Sequence, residues 1–365
     1  MMSIKEEGKA VTFNHIVEKV TRDMTFLGEG EPTERDYRDT LHSLVKEGLV
    51  AEDRRGFYRG RGIDAYVGGM VATSRGILNR SYYLVYAAER YYPSVVDIML
   101  PYLLNRPLSA IKVFSGKKDP IREVEPIFVR YSKYKPQPVH LTVKDGAGLM
   151  DLVHDHCVDF VPYVHGFDGR ADIFLVDLDL GDRLASLAGG LAFAAHAAYL
   201  VSLILSENGC HPLIKFSGSR GFQVLCRLSG EGRALEFAHL RDAVRGVQME
   251  LEARLRAEEA AHGFQDLGIE EPFTTSIVDR RADRSGKILV DWSSMKPEGD
   301  YRAPLSLHHR TGLVSLPLTA AGLDSFAKED ADPLALSAGF MDLSFVSRLP
   351  ETPGEALAPL QGRRV

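Results

Sequence analysis

The sequence predicts an α+β protein, one sheet covered by helices, and three stretches carry that prediction. Residues 171–180, ADIFLVDLDL, are an apolar run with two carboxylates at its exit and read as a buried strand. Residues 211–228, HPLIKFSGSRGFQVLCRL, place apolar runs on both sides of SGSRG, the pattern of strand, tight turn and strand. Residues 286–293, GKILVDWS, are a further apolar strand closing on an acid. Helical stretches separate these strands: 184–205 is apolar throughout, and 234–261 is long and rich in Ala, Arg and Glu.

Taken in order, residues 13–24 have apolar side chains at Phe13, Ile16, Val17, Val20 and Met24, which is helical spacing. Thr33 and Asp36 look like a capping pair for a second helix with Tyr37, Leu41, Leu44 and Val45 on its apolar face and Gly48 as its stop. Residues 49–58 then read as a hairpin with Arg54 and Arg55 near the tip. Helix, helix and hairpin suggest a small winged-helix-like domain over 1–62. The second helix carries Glu34, Asp36 and Asp39 beside Arg35 and Arg38, so it is not distinctly basic and equally suits a packing or interaction module. Glycine-rich 60–69 reads as a linker. The catalytic domain is expected over 63–345. It opens with an amphipathic helix in 82–104, and later has a helix over 146–157 and a strand over 158–164. A flexible tail is expected over 346–365.

Composition bounds the function. The 365 residues are 45% hydrophobic and 26% charged, an ordinary globular balance, and the formal net charge of −6 argues mildly against a bulk-basic nucleic-acid binder without excluding a local patch. Cys157, Cys210 and Cys226 are widely spaced, which disfavours a disulfide framework or zinc knuckle, and a reducing cytoplasm is the expected location. Residues 184–205 contain no Asp, Glu, Lys or Arg and are long enough to span a bilayer. Their place between two strands instead predicts a helix buried between the sheet and an outer layer.

The chemistry starts at 177–179. Side chains alternate along a strand, so Asp177 and Asp179 share a face while Phe174, Val176, Leu178 and Leu180 point into the core. Two adjacent carboxylates repel unless something positive lies between them, and hard oxygen donors suit Mg²⁺ or Mn²⁺. Asp291 is the candidate third ligand. In SGSRG, Gly218 and Gly221 let the backbone approach a ligand, the turn N–H groups can cradle phosphate, Ser217 and Ser219 offer hydroxyls, and Arg220 offers a planar fork. In 301–313, YRAPLSLHHRTGL, an extended segment would put Ser306, His308 and Arg310 on one face toward a triphosphate. Upstream, Lys112, Lys117, Lys118, Arg122, Arg130, Lys133 and Lys135 are interleaved with Tyr131 and Tyr134, the cation and aromatic mixture of a groove that follows a nucleic-acid backbone.

The ordered set of a DLD strand, SGSRG between strands, a strand ending in Asp, and APLSLHHRTGL resembles the archaeo-eukaryotic primase superfamily, above all the polymerase domain of bacterial ligase D and its stand-alone archaeal relatives. The resemblance covers about 81–317 and implies an RRM-like mixed sheet with flanking helices. It also implies a two-metal nucleotidyltransferase, a template-directed DNA or RNA polymerase or primase acting in repair or end joining. Asp177, Asp179 and Asp291 would be the metal ligands. Ser217, Gly218, Ser219, Arg220, Gly221 and Gln223, with Ser306, His308 and Arg310, would meet the nucleotide, His308 and Arg310 as a cationic pair. Mg²⁺ or Mn²⁺, nucleoside triphosphates and a primer–template follow as cofactor and partners, with a DNA ligase or end-binding protein as further candidates. Gln223 stands where the family usually has histidine, and glutamine carries no charge. Two other readings stay open from the residues: a metal-dependent DxD glycosyltransferase, and an inactive relative that binds DNA ends or nucleotides.

Overall fold

The computed structural model describes residues 11–14, 17, 33–46, 50–54, 57–60, 80–114, 127–131, 140–230, 235–265, 268–276, 285–338 and 342–361. At the N-terminal side, strand β1 (Val11–Thr12), the helix Glu34–Lys46 and the hairpin of β2 (Val50–Arg54) and β3 (Phe57–Gly60) are described, the strands in the antiparallel order β1-β3-β2. Most of the helix expected over 13–24, the linker after Gly60 and the domain boundary at 62–63 lie outside the described residues.

The helix Arg80–Met99 follows, then two antiparallel partners in a small sheet, β4 (Leu108–Val113) and β5 (Phe128–Tyr131), joined on the other side of β4 by β6 (Cys157–Pro162). The expected helix before β6 spans Gly146–His154 and begins where the Asp145 carboxylate accepts from the Gly148 N–H at 2.8 Å, an N-cap that satisfies an otherwise orphaned donor.

The larger sheet has seven strands. β7 (Ile173–Leu180), β8 (Leu213–Phe216), β9 (Phe222–Leu228), β10 (Thr274–Ser276), β11 (Ile288–Asp291) and β12 (Pro317–Leu318) lie in the order β10-β11-β7-β9-β8-β12, with β13 (Glu351–Thr352) added to β9. β10 runs parallel to β11 and β13 parallel to β9, while the other neighbours are antiparallel, so the sheet is mixed.

Two helices cover one side of this sheet. The apolar stretch that could be mistaken for a membrane span divides into a short helix Asp182–Ser186 and the helix Gly190–Glu207, which is long and apolar enough to cross a membrane by length and composition. Its alanines and leucines are largely buried, because it packs on β7 and β9 and is itself covered by the helix Phe237–His262. The His196 ring nitrogen Nε2 lies 2.5 Å from Glu258 Oε2 across that helix pair.

The flexible tail expected over 346–365 is corrected by the structure as far as Gln361. β13 pairs with β9, the Thr352 hydroxyl accepts from the His211 N–H at 2.9 Å, and Leu357 and Leu360 are fully buried. A β-carbon added at Gly246 would lie 2.0 Å from the Leu360 carbonyl oxygen, so the helix Phe237–His262 is notched to receive this segment. Proline and arginine content suggested a loose end, yet the two leucines supply enough apolar area to dock it. Truncating one buried leucine costs about 2–5 kcal/mol. A chain ending at Pro350 is therefore expected to melt well below the full chain in a thermal scan, and an unchanged melting temperature would show the segment to be an appendage.

Candidate active site

The antiparallel pairing of β11 with β7 sets Asp291 directly opposite Asp177. Opposed residues in such a pair point to the same face, and Asp179 follows two positions along β7, so all three carboxylates share one face of the sheet. The row continues across the sheet: Asp177 pairs with Gln223 of β9, and Gln223 with Lys215 of β8. The Gln223 Nε2 donates to Asp177 Oδ2 at 2.9 Å. Lys215 Nζ donates to the Gln223 carbonyl and, at 2.8 Å, to the Ser315 hydroxyl. Asp291 Oδ1 accepts from the Ser293 N–H at 2.7 Å.

Burial, followed by the Asp179 charge, pushes the Asp177 carboxyl well above the usual carboxylate range, with the Gln223 hydrogen bond opposing and Asp291 adding to the rise. Burial and the Arg302 charge push the Lys215 ammonium down, against the attraction of Asp177. Among the described residues, no three His, Cys, Asp or Glu side chains already converge as a metal cluster. The donor set nevertheless fits a hard divalent cation: three carboxylates on one face, two of which give one oxygen to a protein donor.

The SGSRG turn lies against this face because two of its residues lack side chains. A β-carbon at Gly221 would sit 2.1 Å from the Leu178 carbonyl oxygen and 3.0 Å from Asp179 Oδ1. Gly218 has a φ of +86° and would press a β-carbon to 2.9 Å from that of His308. The Ser217 hydroxyl accepts from the Ser219 and Gly221 N–H groups at 3.3 and 3.2 Å. Two of the N–H groups expected to cradle a phosphate thus turn inward to hold the loop. Arg220 Nη1 meets Asp182 Oδ1 at 2.8 Å near the surface, a weak pair that a phosphate could replace.

The 301–313 segment is not extended, which corrects the expectation that Ser306, His308 and Arg310 share a face. Leu305 and Gly312 have φ values of +68° and +77°, and between them the chain folds into a turn closed by the Leu307–Val314 bridge. Ser306 is fully buried and accepts from the Phe160 N–H at 2.7 Å. His308 Nδ1 accepts from the Arg310 and Thr311 N–H groups at 3.2 Å each, and burial followed by the Arg302 charge holds the imidazole well below its ordinary pKa. His308 is therefore neutral near pH 7, so the expected cationic pair reduces to Arg310, which is exposed.

Four residues that sequence reasoning passed over, Asp159, Arg302, His309 and Thr311, tie these pieces together. Asp159, on β6, is fully buried. The Arg302 guanidinium clamps its two oxygens at 2.9 and 3.0 Å, and His309 Nδ1 lies 2.7 Å from Oδ2. Arg302 also donates to the Ser217 carbonyl at 3.0 Å, and Thr311 donates to the Gly218 carbonyl at 2.5 Å. The signal for Asp159 was present as an acid inside the apolar run CVDFVP, although a lone acid in such a run does not name its partner.

The basic stretch is less available than its composition suggested. Lys112 pairs with Asp155 at 2.5 Å, and Arg130 with Asp300 at 2.5 Å and with the Ser109 hydroxyl at 2.9 Å. Lys117, Lys118, Arg122, Lys133 and Lys135 lie outside the described residues. A cavity of about 310 Å³ opens at the opposite end of β7, lined by Phe167, Arg170, Asp172 and Glu355 among others, and is separate from the carboxylate face.

With the geometry in place, the comparisons decide the family. The family model described as LigD, primase-polymerase domain, matches residues 88–335. The chain belongs to that family. It is a nucleotidyltransferase of the archaeo-eukaryotic primase superfamily with a mixed α+β polymerase core, which sets aside the glycosyltransferase reading. The polymerase domain of Mycobacterium tuberculosis ligase D, in complex with DNA, matches with a TM-score of 0.52 at 19% identity, covering 76% of this chain and 100% of that chain. At that identity the likeness shows the fold. No curated protein sequence matches.

Asp159 supports a prediction about pH. Burial by itself would raise its pKa, but Arg302 and the His309 hydrogen bond overcome this and hold the carboxyl well below the usual range. A carboxyl depressed in the folded state contributes stability that is full above its unfolded pKa of about 4 and is lost as pH falls below it. Arg302→Met leaves a buried charge without its clamp, a loss of about 3–5 kcal/mol at neutral pH. Without the clamp, burial raises the Asp159 carboxyl instead, so the folded variant takes up a proton as pH falls while the folded wild type does not. Urea melts at pH 7 and pH 4 are expected to show the variant's deficit shrinking at the lower pH, and an equal deficit at both would rule out the charge pairing as its source.

Proposed function

We propose that this chain extends a nucleic-acid primer by nucleotidyl transfer at Asp177, Asp179 and Asp291, as a LigD-type polymerase acting on DNA ends or gaps. The observation carrying this reading is the β7–β11 register, which sets Asp291 beside Asp177 on the face that Asp179 shares. Mg²⁺ or Mn²⁺ held by these carboxylates would supply the charge that lowers the pKa of the primer hydroxyl and neutralises the triphosphate.

The chain's own groups do the rest. The turn of 217–221 lies over Asp179 and presents the Ser217 hydroxyl, whose proton is its remaining donor after it accepts two N–H bonds. Arg220 and Arg310, both at the rim, would take up charge on the phosphate chain. Neutral His308 braces the turn from below rather than binding phosphate as a cation. DNA as template, and ends or gaps as the working substrate, are supported by family membership and by the DNA complex of the M. tuberculosis domain.

The test is primer extension in Mn²⁺ on gapped and single-stranded templates, with and without primer. Products without primer would mark a primase, and extension only at gaps or ends a repair polymerase. Replacing any one acid (Asp177→Asn, Asp179→Asn or Asp291→Asn) is expected to lower extension about 10³-fold or more, because the bound cation's stabilisation is worth several kcal/mol. The melting temperature should hold or rise as repulsion is relieved. Full activity in any of the three defeats the assignment and favours the reading in which the site only binds.

A further inference from the structure

Lys215 is a fully buried basic side chain on β8, beside the short edge strand β12 of the larger sheet, two strands from Asp177 and on the same face. A buried ammonium costs several kcal/mol unless something compensates it. Among the described residues no carboxylate lies within ion-pair distance of its Nζ. Its partners are the Gln223 carbonyl and the Ser315 hydroxyl, and Ser315 passes its own proton to the Phe216 carbonyl at 3.0 Å. A methionine or leucine would fill the same core position without that cost, so the cation needs a reason on the face it points to.

The reason lies in the two ends of the Gln223 amide. One end only accepts, the other only donates, and an amide can sit in its slot either way round. An ammonium has donors alone and an ionised carboxylate has acceptors alone. Set between the charged forms of Lys215 and Asp177, the amide has one workable orientation: oxygen toward the lysine and NH₂ toward Asp177, as observed at 2.9 Å for the second bond. Turned round, it would bring its oxygen against a carboxylate and its NH₂ against an ammonium.

We propose that Lys215 is a positioning residue for the acid site, locking the Gln223 amide so that it always donates to Asp177 and steers that carboxylate's other oxygen toward the bound cation. Lys215 acts through Gln223 and touches neither substrate nor metal. The inference rests on the reading of Asp177 as a metal ligand given above.

The experiment is a double-mutant cycle of Lys215→Met, Gln223→Leu and the pair together. It is read as the Mn²⁺ dissociation constant from the EPR signal of free ion, alongside the Mn²⁺ dependence of extension. Losing a hydrogen bond to a charged group corresponds to about a tenfold effect or somewhat more. Lys215→Met is expected to weaken Mn²⁺ binding by about that factor, Gln223→Leu by a similar factor, and the double variant by no more than either alone. Ser315→Ala, which removes only the second anchor of Nζ, should give a smaller loss in the same direction and serves if Lys215→Met fails to fold. Additive losses, or a fall in melting temperature with the Mn²⁺ constant unchanged, would show Lys215 to be a structural residue and overturn the proposal. A wild-type chain that binds no Mn²⁺ overturns the metal-site reading itself, a result distinguishable from failure of the lysine's role alone.

Discussion

The register between β7 and β11 is the constraint on which the site depends. A strand's side chains alternate with period two, so a slip by one residue would carry Asp291 to the opposite face, into the layer where the Gly190–Glu207 helix packs. The apolar face of β7 fixes which way that strand is turned. Phe174, Val176, Leu178 and Leu180 are buried and can face only the core, which leaves Asp177 and Asp179 on the other side. Because β11 contributes only Ile288–Asp291, its three apolar residues and one terminal acid are the whole specification of where the third carboxylate lands.

From that register a polar row runs across the sheet from Asp291 through Asp177 and Gln223 to Lys215. A second buried charge system lies beside it, where Asp159 is satisfied by Arg302 and His309. The two systems meet at the SGSRG turn. Arg302 holds the Ser217 carbonyl, Thr311 holds the Gly218 carbonyl, and the Gln223 row starts two residues after Gly221. In a low-dielectric interior each unpaired polar group is costly, so a network satisfied this fully also fixes the loop it surrounds. Charge on the described part of this face is thus mostly spent on building the site. Among the described residues, Arg220, paired with Asp182 near the surface, and exposed Arg310 lie at the rim, where the proposed function would have them meet a ligand's phosphates.

Much of this was legible from residue order. The strand with DLD, the glycine turn, the third acid and the buried apolar helix each declared themselves through periodicity or turn chemistry, because those signals are local. What misled was equally local. His308 and Arg310 looked alike as cations two residues apart, but burial and two N–H donors make the histidine an acceptor. Ser306 looked like a ligand-facing hydroxyl and instead satisfies the Phe160 N–H. Lys112 and Arg130 counted toward a basic patch until Asp155 and Asp300 were found beside them. The C-terminal segment read as loose, since Leu357 and Leu360 have no periodic context and gain their meaning only from the groove at Gly246.

By itself, then, the sequence determined the strand and helix repertoire, the face on which Asp177 and Asp179 stand, and membership of a family with a known chemistry, since alternation, apolar runs and ordered motifs are properties of the chain as written. Tertiary structure alone decided that residue 291 lies opposite residue 177, that Asp159 finds Arg302 across more than a hundred positions, and that a lysine in the core addresses an acid through a glutamine. Those outcomes depend on which strands become neighbours and on how far each group is removed from water, and neither quantity exists until the sheet has closed.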